Sequence, residues 1–281
     1  MPESFRLEWV MGVLLVSGLF FWASLVLSRN SGSLLAGGWR WLEWRPLPHD
    51  LPGWMLWAFL AGFLLQQLFG SLVYFLEWGE RIPVGVTILI SILFFQGLMG
   101  LVLFFRIHRA GIDPLEALGM EDPLKLQDGI WGLVTYCMCL PLVGASALVT
   151  QWIFHAFSWE FQVQPMIQLF TELQGWMNWV SVFLLVGFIG PLLEEVVFRG
   201  FLFTWLHQRV GLFPGLILQA LIFAVIHMHA ASLLPLFFLS LVLGLTYVYT
   251  RRLMACVWAH AVFNTMTLIY TFLLPMEVQG G

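Results

Sequence analysis

The chain of 281 residues is 60% hydrophobic and 10% charged, with a mean hydropathy of +0.88 and a formal net charge of −4. A soluble domain carries about 25% charged residues, so this composition excludes a soluble globular protein, and nothing in the charge balance suggests nucleic acid as a partner. The three cysteines, Cys137, Cys139 and Cys256, all lie in apolar stretches and read as small core residues rather than as a disulfide or metal pair.

A membrane-crossing helix needs about 20 apolar residues. Met1 to Glu8 holds Glu3, Arg6 and Glu8 and lacks the positive region of a cleavable signal peptide, so the first apolar run, Trp9 to Ser28, reads as a retained span. Arg29 to Pro52 is a polar, Gly/Pro-rich connection whose Trp39, Trp41 and Trp44 suit the membrane surface. The second span is Gly53 to Leu76, a tight turn covers Glu77 to Arg81, and the third span is Ile82 to Phe105. Arg106 to Asp128 is the most charged stretch, broken by Asp113-Pro114 and Asp122-Pro123, and reads as an extramembrane loop with a short helix. The fourth span runs from Gly129 to Phe154 with a kink expected at Pro141. Ser158 to Gly175, with Trp159, Phe161, Met166, Ile167, Phe170 and Leu173 and without Lys or Arg, reads as an amphipathic segment on the membrane surface.

The fifth helix begins near Trp176 and stays apolar to about Gln208, longer than a straight span needs, with a bend expected at Gly190-Pro191. The sixth span is Phe213 to Met228, a turn follows at His229, the seventh is Leu233 to Thr250, and the eighth is Leu253 to Leu274 with Pro275 closing it. The predicted fold is all-α: a polytopic membrane helix bundle of about eight transmembrane helices in one integral membrane domain, residues 1–281. With eight spans, Arg6 and Arg81 fall on one side. Arg29, Arg40, Arg45, Arg106, Arg109, Lys125, Arg209, Arg251 and Arg252 fall on the other. Basic residues mark the cytoplasmic face, so both termini are expected outside.

The stretch around which the rest is organised is Pro191-Leu192-Leu193-Glu194-Glu195-Val196-Val197-Phe198-Arg199. A charged residue at mid-bilayer costs roughly 2.5–3.5 kcal/mol, and three would approach ~9 kcal/mol unless paired, so such residues face a bundle interior or a wet cavity. Glu195 and Arg199 are spaced i,i+4 and can pair on one face; Glu194 projects about 100° away. Two further helices add Phe223 and His227, and His260 and Asn264, each pair again at i,i+4. A lone His in an apolar helix is usually packing, and a Glu/Arg pair can be a structural clamp. That reading weakens when three helices supply polar groups together. Two carboxylates, two imidazoles and an amide suit hydrolysis by activated water: a carboxylate takes a proton and a His orients or shares it, while His and Asn can donate to an oxyanion. No Gly-x-Ser-x-Gly nucleophile motif is present. Glu, His and His can also hold zinc with water in the fourth place, with Glu195, His227 and His260 the candidate ligands, and spacing alone leaves the two mechanisms open.

Glu194-Glu195-x-x-x-Arg199, Phe223-x-x-x-His227 and His260-x-x-x-Asn264, in this order, resemble the three motifs of the CPBP intramembrane proteases, the CAAX protease and bacteriocin-processing (ABI) family that includes the Ras-converting CAAX prenyl endopeptidases. The resemblance covers about residues 175–274, taken as the catalytic core. It implies a helical bundle around a water-accessible cavity, and hydrolysis of a peptide bond in a membrane-associated substrate, a CAAX-type, leader or tail peptide. Glu194 would activate water with His227 assisting. His260 and Asn264 would form an oxyanion hole, or His260 would join a Zn2+ site. Glu195 would orient the site and pair with Arg199. Expected partners are the lipid bilayer and the peptide substrate. The short loops suggest a prokaryotic inner membrane, with the site open to the cytoplasm. Two other functions compete: a non-proteolytic scaffold or immunity protein of the same fold, which would not need the Glu/His/His/Asn set, and a transporter, which would place charges in several other spans.

Overall fold

A computed structural model describes residues 47–78, 82–120, 125–160, 173 and 175–273. The first span, most of the connection after it, most of the 158–175 segment and the stop at Pro275 lie outside the described residues. Within them the chain is helical. Helix α1 is Leu51–Phe75. Helix α2 covers 84–109 as Val84–Ile92, a π-helical segment Leu93–Gly97, and Leu98–Arg109. Helix α3 is Pro114–Leu118 and α4 is Leu126–Ala156. Helix α5, Trp176–Val210, contains π segments at Leu185–Ile189 and Val196–Phe203. Helix α6 is Leu212–Ile226, α7 is Leu233–Thr250 after a 3-10 turn at Ala230–Ser232, and α8 is Leu253–Leu273.

Six helices among the described residues are long and apolar enough to cross a membrane, and α6 is a shorter apolar one. The protein is an integral, multi-pass membrane protein. The expected count of eight is approximate, since the first span is outside the described residues. At 15 residues α6 is ~22 Å long, short of the ~30 Å hydrocarbon core.

Two expectations change in detail. The predicted third span ends at Phe105, but α2 runs on to Arg109, because a helix ending in Arg106, His108 and Arg109 places cations against its negative C-terminal dipole. Asp113-Pro114 does not only break the chain; it starts α3. Asp113 Oδ1 accepts from the Leu115 N–H at 2.9 Å, Pro114 takes the first turn, and Gly119 (φ 66°) ends the helix in the left-handed conformation. A side chain at Gly119 would also strike the Arg251 carbonyl, 2.4 Å from an ideal Cβ.

One end of the bundle is tied by arginines. Arg106 donates to both oxygens of Asp50 at 3.0 and 2.7 Å, joining the start of α1 to the end of α2. The Arg106 guanidinium holds the Asp50 carboxyl below its ordinary value. Beside it Arg209 meets His49, and Leu47 N–H donates to Gln208 Oε1 at 2.9 Å, bringing in the end of α5. Arg252 donates from Nε and Nη2 to the buried Asp128, joining the start of α8 to the start of α4. Helix α3 lies against this end: Tyr247 Oη donates to Leu118 O at 3.3 Å, and the Leu118 side chain fills the space beside Gly200.

Across the bundle, α4 packs on α7 and α8. Thr135 and Thr246 share a hydrogen bond between hydroxyls at 2.9 Å, and Gly132 lets the backbone of Trp258-Ala259 come close. An ideal Cβ at Gly132 would sit 2.5 Å from Trp258 Cβ and 3.0 Å from Ala259 N. Small residues at such crossings permit the close packing that holds membrane helices together. Gly132→Ala is therefore expected to force α4 off α8 and to cost ~1–3 kcal/mol, read as a lowered unfolding midpoint of the detergent-solubilised protein. An unchanged midpoint would mean that the two helices move apart freely.

Candidate active site

The two carboxylates sit in Gly190–Glu195, between the two π segments of α5. A π segment inserts an extra residue per turn and re-aims the side chains that follow it, and such segments occur mostly at functional sites. The first one has a local cause in Pro191. Gly190 N–H donates to Leu185 O, five residues back. In that register the next donor would be residue 191, which is proline and has no N–H, so the Val186 carbonyl needs another partner. Asn264 Nδ2 of α8 supplies it at 3.0 Å. The bend expected at Gly190-Pro191 takes the form of this widened turn.

Glu195 and Arg199 are both fully buried, and Arg199 Nη1 donates to Glu195 Oε1 at 2.9 Å. Arg199 Nη2 donates to Ser240 O at 3.1 Å and to Ser240 Oγ at 3.0 Å, reaching α7. Gln219 of α6 completes the group, its Nε2 donating to Ser240 O at 3.2 Å and its Oε1 accepting from Ser240 Oγ at 3.3 Å. The Phe223 ring lies 5.0 Å from the guanidinium carbon, a cation–π contact. Phe223 is also a spacer: its ring centroid is 4.7 Å from the His227 ring and 6.0 Å from the His260 ring.

Glu195 has a second partner. His260 Nδ1 lies 2.8 Å from the same Oε1. An ionised carboxylate only accepts, so the hydrogen-bond network assigns the Nδ1 proton to His260. The other face of the ring, Nε2, lies 3.8 Å from Glu194 Oε2. In the neutral ring Nε2 offers a lone pair there; as an imidazolium it offers a donor. His227 is assigned the same tautomer, because its Nδ1 lies 2.7 Å from the Phe223 carbonyl, which leaves its Nε2 a lone pair.

Glu194 and His227 line one cavity of about 190 Å³. Phe95, Met99, Val197, Phe198 and Ile226 make its apolar wall, and Gln96 of α2 its third polar member. Gln96 Nε2 donates to Glu194 Oε1 at 2.7 Å. His227 is exposed at the end of α6, Glu194 is partly exposed, and Glu195 and His260 are buried behind them. Glu194, Glu195, His227 and His260 therefore converge from α5, α6 and α8. Asn264 stands beside them with one of its two Nδ2 hydrogens spent on Val186, and Arg199 and Phe223 pack underneath.

The zinc set Glu195, His227 and His260 meets this geometry poorly. Among the described residues no three His, Cys, Asp or Glu side chains gather closely enough to hold a metal ion. Of the set Glu195, His227 and His260, Glu195 Oε1 is committed to Arg199 and His260 Nδ1. That set does not fit a metal as it stands, since a ligating carboxylate would have to leave its arginine.

Sequence reasoning missed Gln96, Gln219 and Ser240. Each is a single uncharged polar residue in an apolar helix, a weaker signal than a charge. Gln219 in α6 could have been noticed as an amide one turn before Phe223.

The architecture and site define a polytopic membrane protein with a Glu/Arg/His cluster sealed in its bundle beside a partly open carboxylate. Residues 176–266 match the family model described as type II CAAX prenyl endopeptidase Rce1-like. This segment is thus similar to the Rce1-like CAAX proteases. Among curated proteins it is 22% identical over 207 residues to a Bacillus subtilis protein named as the membrane peptidase YdiL, covering 62% of this chain and 83% of that one. It is 32% identical over 101 residues to the membrane-embedded CAAX protease MroQ of Staphylococcus aureus, covering 34% of this chain and 40% of that one. No solved structure matches significantly.

Arg199 carries the sharpest stability prediction. Arg199→Leu leaves a buried carboxylate without its partner and is expected to cost ~3–5 kcal/mol. Arg199→Lys is expected to recover only part, because an ammonium cannot fork to Glu195 and Ser240 together. Unfolding of the detergent-solubilised variants checks both, and a lysine variant as stable as wild type would show that the fork is dispensable.

Proposed function

We propose that the protein is an intramembrane endopeptidase that hydrolyses a peptide bond of a membrane-associated substrate, a CAAX-type, leader or tail peptide, with water activated by Glu194. The observation that carries this reading is the division between the two adjacent carboxylates. Glu195 is buried and paired with Arg199, whereas Glu194 faces a cavity with one oxygen toward His260. A base must reach water, and of the two only Glu194 lines the cavity, whereas Glu195 is sealed against Arg199.

In the proposed reaction water occupies the cavity beside His227. Glu194 removes its proton as the oxygen attacks the scissile carbonyl, and His227 Nε2 orients the water and shares the proton. His260, with Glu195 on its Nδ1, stabilises the oxyanion as an imidazolium donating from Nε2. The remaining Nδ2 hydrogen of Asn264 adds a second donor. The proton then passes from Glu194 to the leaving amine. The catalytic core is placed in residues 175–274, a range the family match supports. Metal-independent chemistry is preferred because Glu195 is already committed to Arg199.

The site is proposed to open toward the cytoplasm. His260 is seven residues from Leu253, ~10 Å along α8, and Leu253 follows Arg251-Arg252 at the arginine-tied end. Arg106, Arg209 and Arg252 gather at that same end, the distribution that marks a cytoplasmic face.

Three measurements follow from this. Glu194→Gln or His227→Ala is expected to abolish cleavage of a lipid-anchored, quenched fluorogenic peptide while the protein stays folded, and Asn264→Ala to lower turnover by about 10²-fold; full cleavage by Glu194→Gln would reject the mechanism. Chelation of the purified protein is expected to leave turnover unchanged, and loss of activity together with stoichiometric zinc would move the reading to a metalloprotease. The exposed Ala110 at the arginine-tied end, changed to Cys in a Cys137→Ala background, is expected to react with an impermeant maleimide only after the cells are opened. Labelling in intact cells would reverse the orientation.

A further inference from the structure

Gln96 stands apart from the three sequence motifs. It lies in α2, outside the segment that the family model matches, and it is an amide in an otherwise apolar wall of the cavity. Its Nε2 donates to Glu194 Oε1 at 2.7 Å, the short length of a hydrogen bond to a charged acceptor. Its own Oε1 is buried without a partner among the described residues. A residue present only to fill space would not carry that desolvation cost.

The backbone around Gln96 is shaped to deliver it. Gln96 is in the π segment Leu93–Gly97, and α1 supports that segment at its closest point. An ideal Cβ at Gly62 would fall 2.3 Å from the Phe94 carbonyl oxygen, so only a glycine lets α1 approach this turn. The Phe59 ring meets the Phe95 ring edge-on at 4.9 Å on the same side.

We propose that Gln96 is a positioning residue for Glu194: its amide holds Oε1 and so leaves Oε2 as the oxygen that faces His260 and takes the proton from water. This rests on the reading of Glu194 as the base. A glutamate has three side-chain torsions, and since His260 Nε2 stands at 3.8 Å, beyond hydrogen-bond length, the 2.7 Å bond from Gln96 is the close contact that fixes this carboxylate. Fixing one oxygen selects the other for the reaction, and small losses of orientation cost large factors in rate. The first half of the bundle would then contribute to the reaction through α2, rather than serve only as a membrane anchor.

The test uses Gln96→Asn, Gln96→Met and Gln96→Glu with Glu194→Gln as control, each as the full chain in lipid nanodiscs acting on the lipid-anchored fluorogenic peptide. Met matches the length of Gln without a donor, Asn keeps the donor on a shorter arm, and Glu keeps the shape but faces Glu194 with an acceptor. Positioning predicts turnover in the order Gln, Asn, Met, Glu. Gln96→Met is expected to lose on the order of tenfold in kcat with KM within about twofold. Its melting midpoint should lie at or above wild type, since it removes a buried unpartnered oxygen. A packing role predicts the opposite order, with Met nearest wild type and Asn poorest because it leaves a void. That order, or a Met variant within twofold of wild-type kcat, overturns the role of Gln96 if Glu194→Gln is inactive. Full activity in Glu194→Gln overturns the reading of the base, and this inference with it.

Discussion

The ion pair between Glu195 and Arg199 is the constraint the rest of the site depends on. Two charges are fully buried inside the bundle. Each alone would cost several kcal/mol to place there, and a salt bridge compensates only when its remaining hydrogen-bonding groups are met. That requirement recruits the neighbours. Ser240 of α7 accepts from Arg199 with both its carbonyl and its hydroxyl, Gln219 of α6 holds Ser240, and Phe223 covers the guanidinium. His260 of α8 takes the carboxylate from the other side. The pair thereby locks four helices into one relative placement, and that placement sets where Glu194 and His227 meet the cavity.

The same pair separates two chemically identical neighbours. Glu194 and Glu195 differ by one residue, about 100° of helix, and this rotation sends one into a dry, cation-paired interior and the other to the cavity. The helix itself is irregular at this point. Pro191 removes the donor that would cover the Val186 carbonyl, the turn widens, and Asn264 closes the gap from α8. Asn264 therefore has a structural hydrogen bond to make before it can serve a substrate. Since Asn264 and His260 are one turn apart, the group that holds the bulge and the group that meets Glu195 move together with α8.

Much of this was legible in the sequence because charge in an apolar helix is conspicuous. The all-α membrane fold followed from composition, and the helices after Trp176 followed from apolar runs expected to stop near Gln208, Met228, Thr250 and Leu274. The i,i+4 spacing of Glu195 and Arg199 foretold a contact that is now seen at 2.9 Å. What escaped was set by tertiary packing. Nothing in the order of residues says that Gln96 and Glu194, 98 positions apart, share a hydrogen bond, since an amide in a membrane helix is too common to single out. The ligand set Glu195, His227 and His260 looked reasonable as a list of residue types, but spacing could not show that Arg199 had already taken the carboxylate. The continuation of α2 to Arg109 was hidden because three basic residues look like the end of a span, although they also stabilise the end of a helix.

Depth is the remaining physical question, and contact answers part of it. Counted along α5, Glu195 is 15 residues from Val210, ~22 Å. Counted along α8, His260 is only ~10 Å from Leu253. The two side chains meet at 2.8 Å, so both lie at one depth and the counts must be reconciled by the helices. Helix α5 has 35 residues, ~50 Å if straight, well beyond the ~30 Å core, so its last turns must tilt or run past the start of α8. Arg209, tied to the segment before α1 through His49, belongs to such an overrunning end. Helix α6 returns from that end but stops after 15 residues, with His227 at its tip. A long helix that overruns, a short one that stops inside and a third that starts at the same end together bring the carboxylate and the imidazole to one level of the bundle, beside the cavity that Glu194 and His227 line.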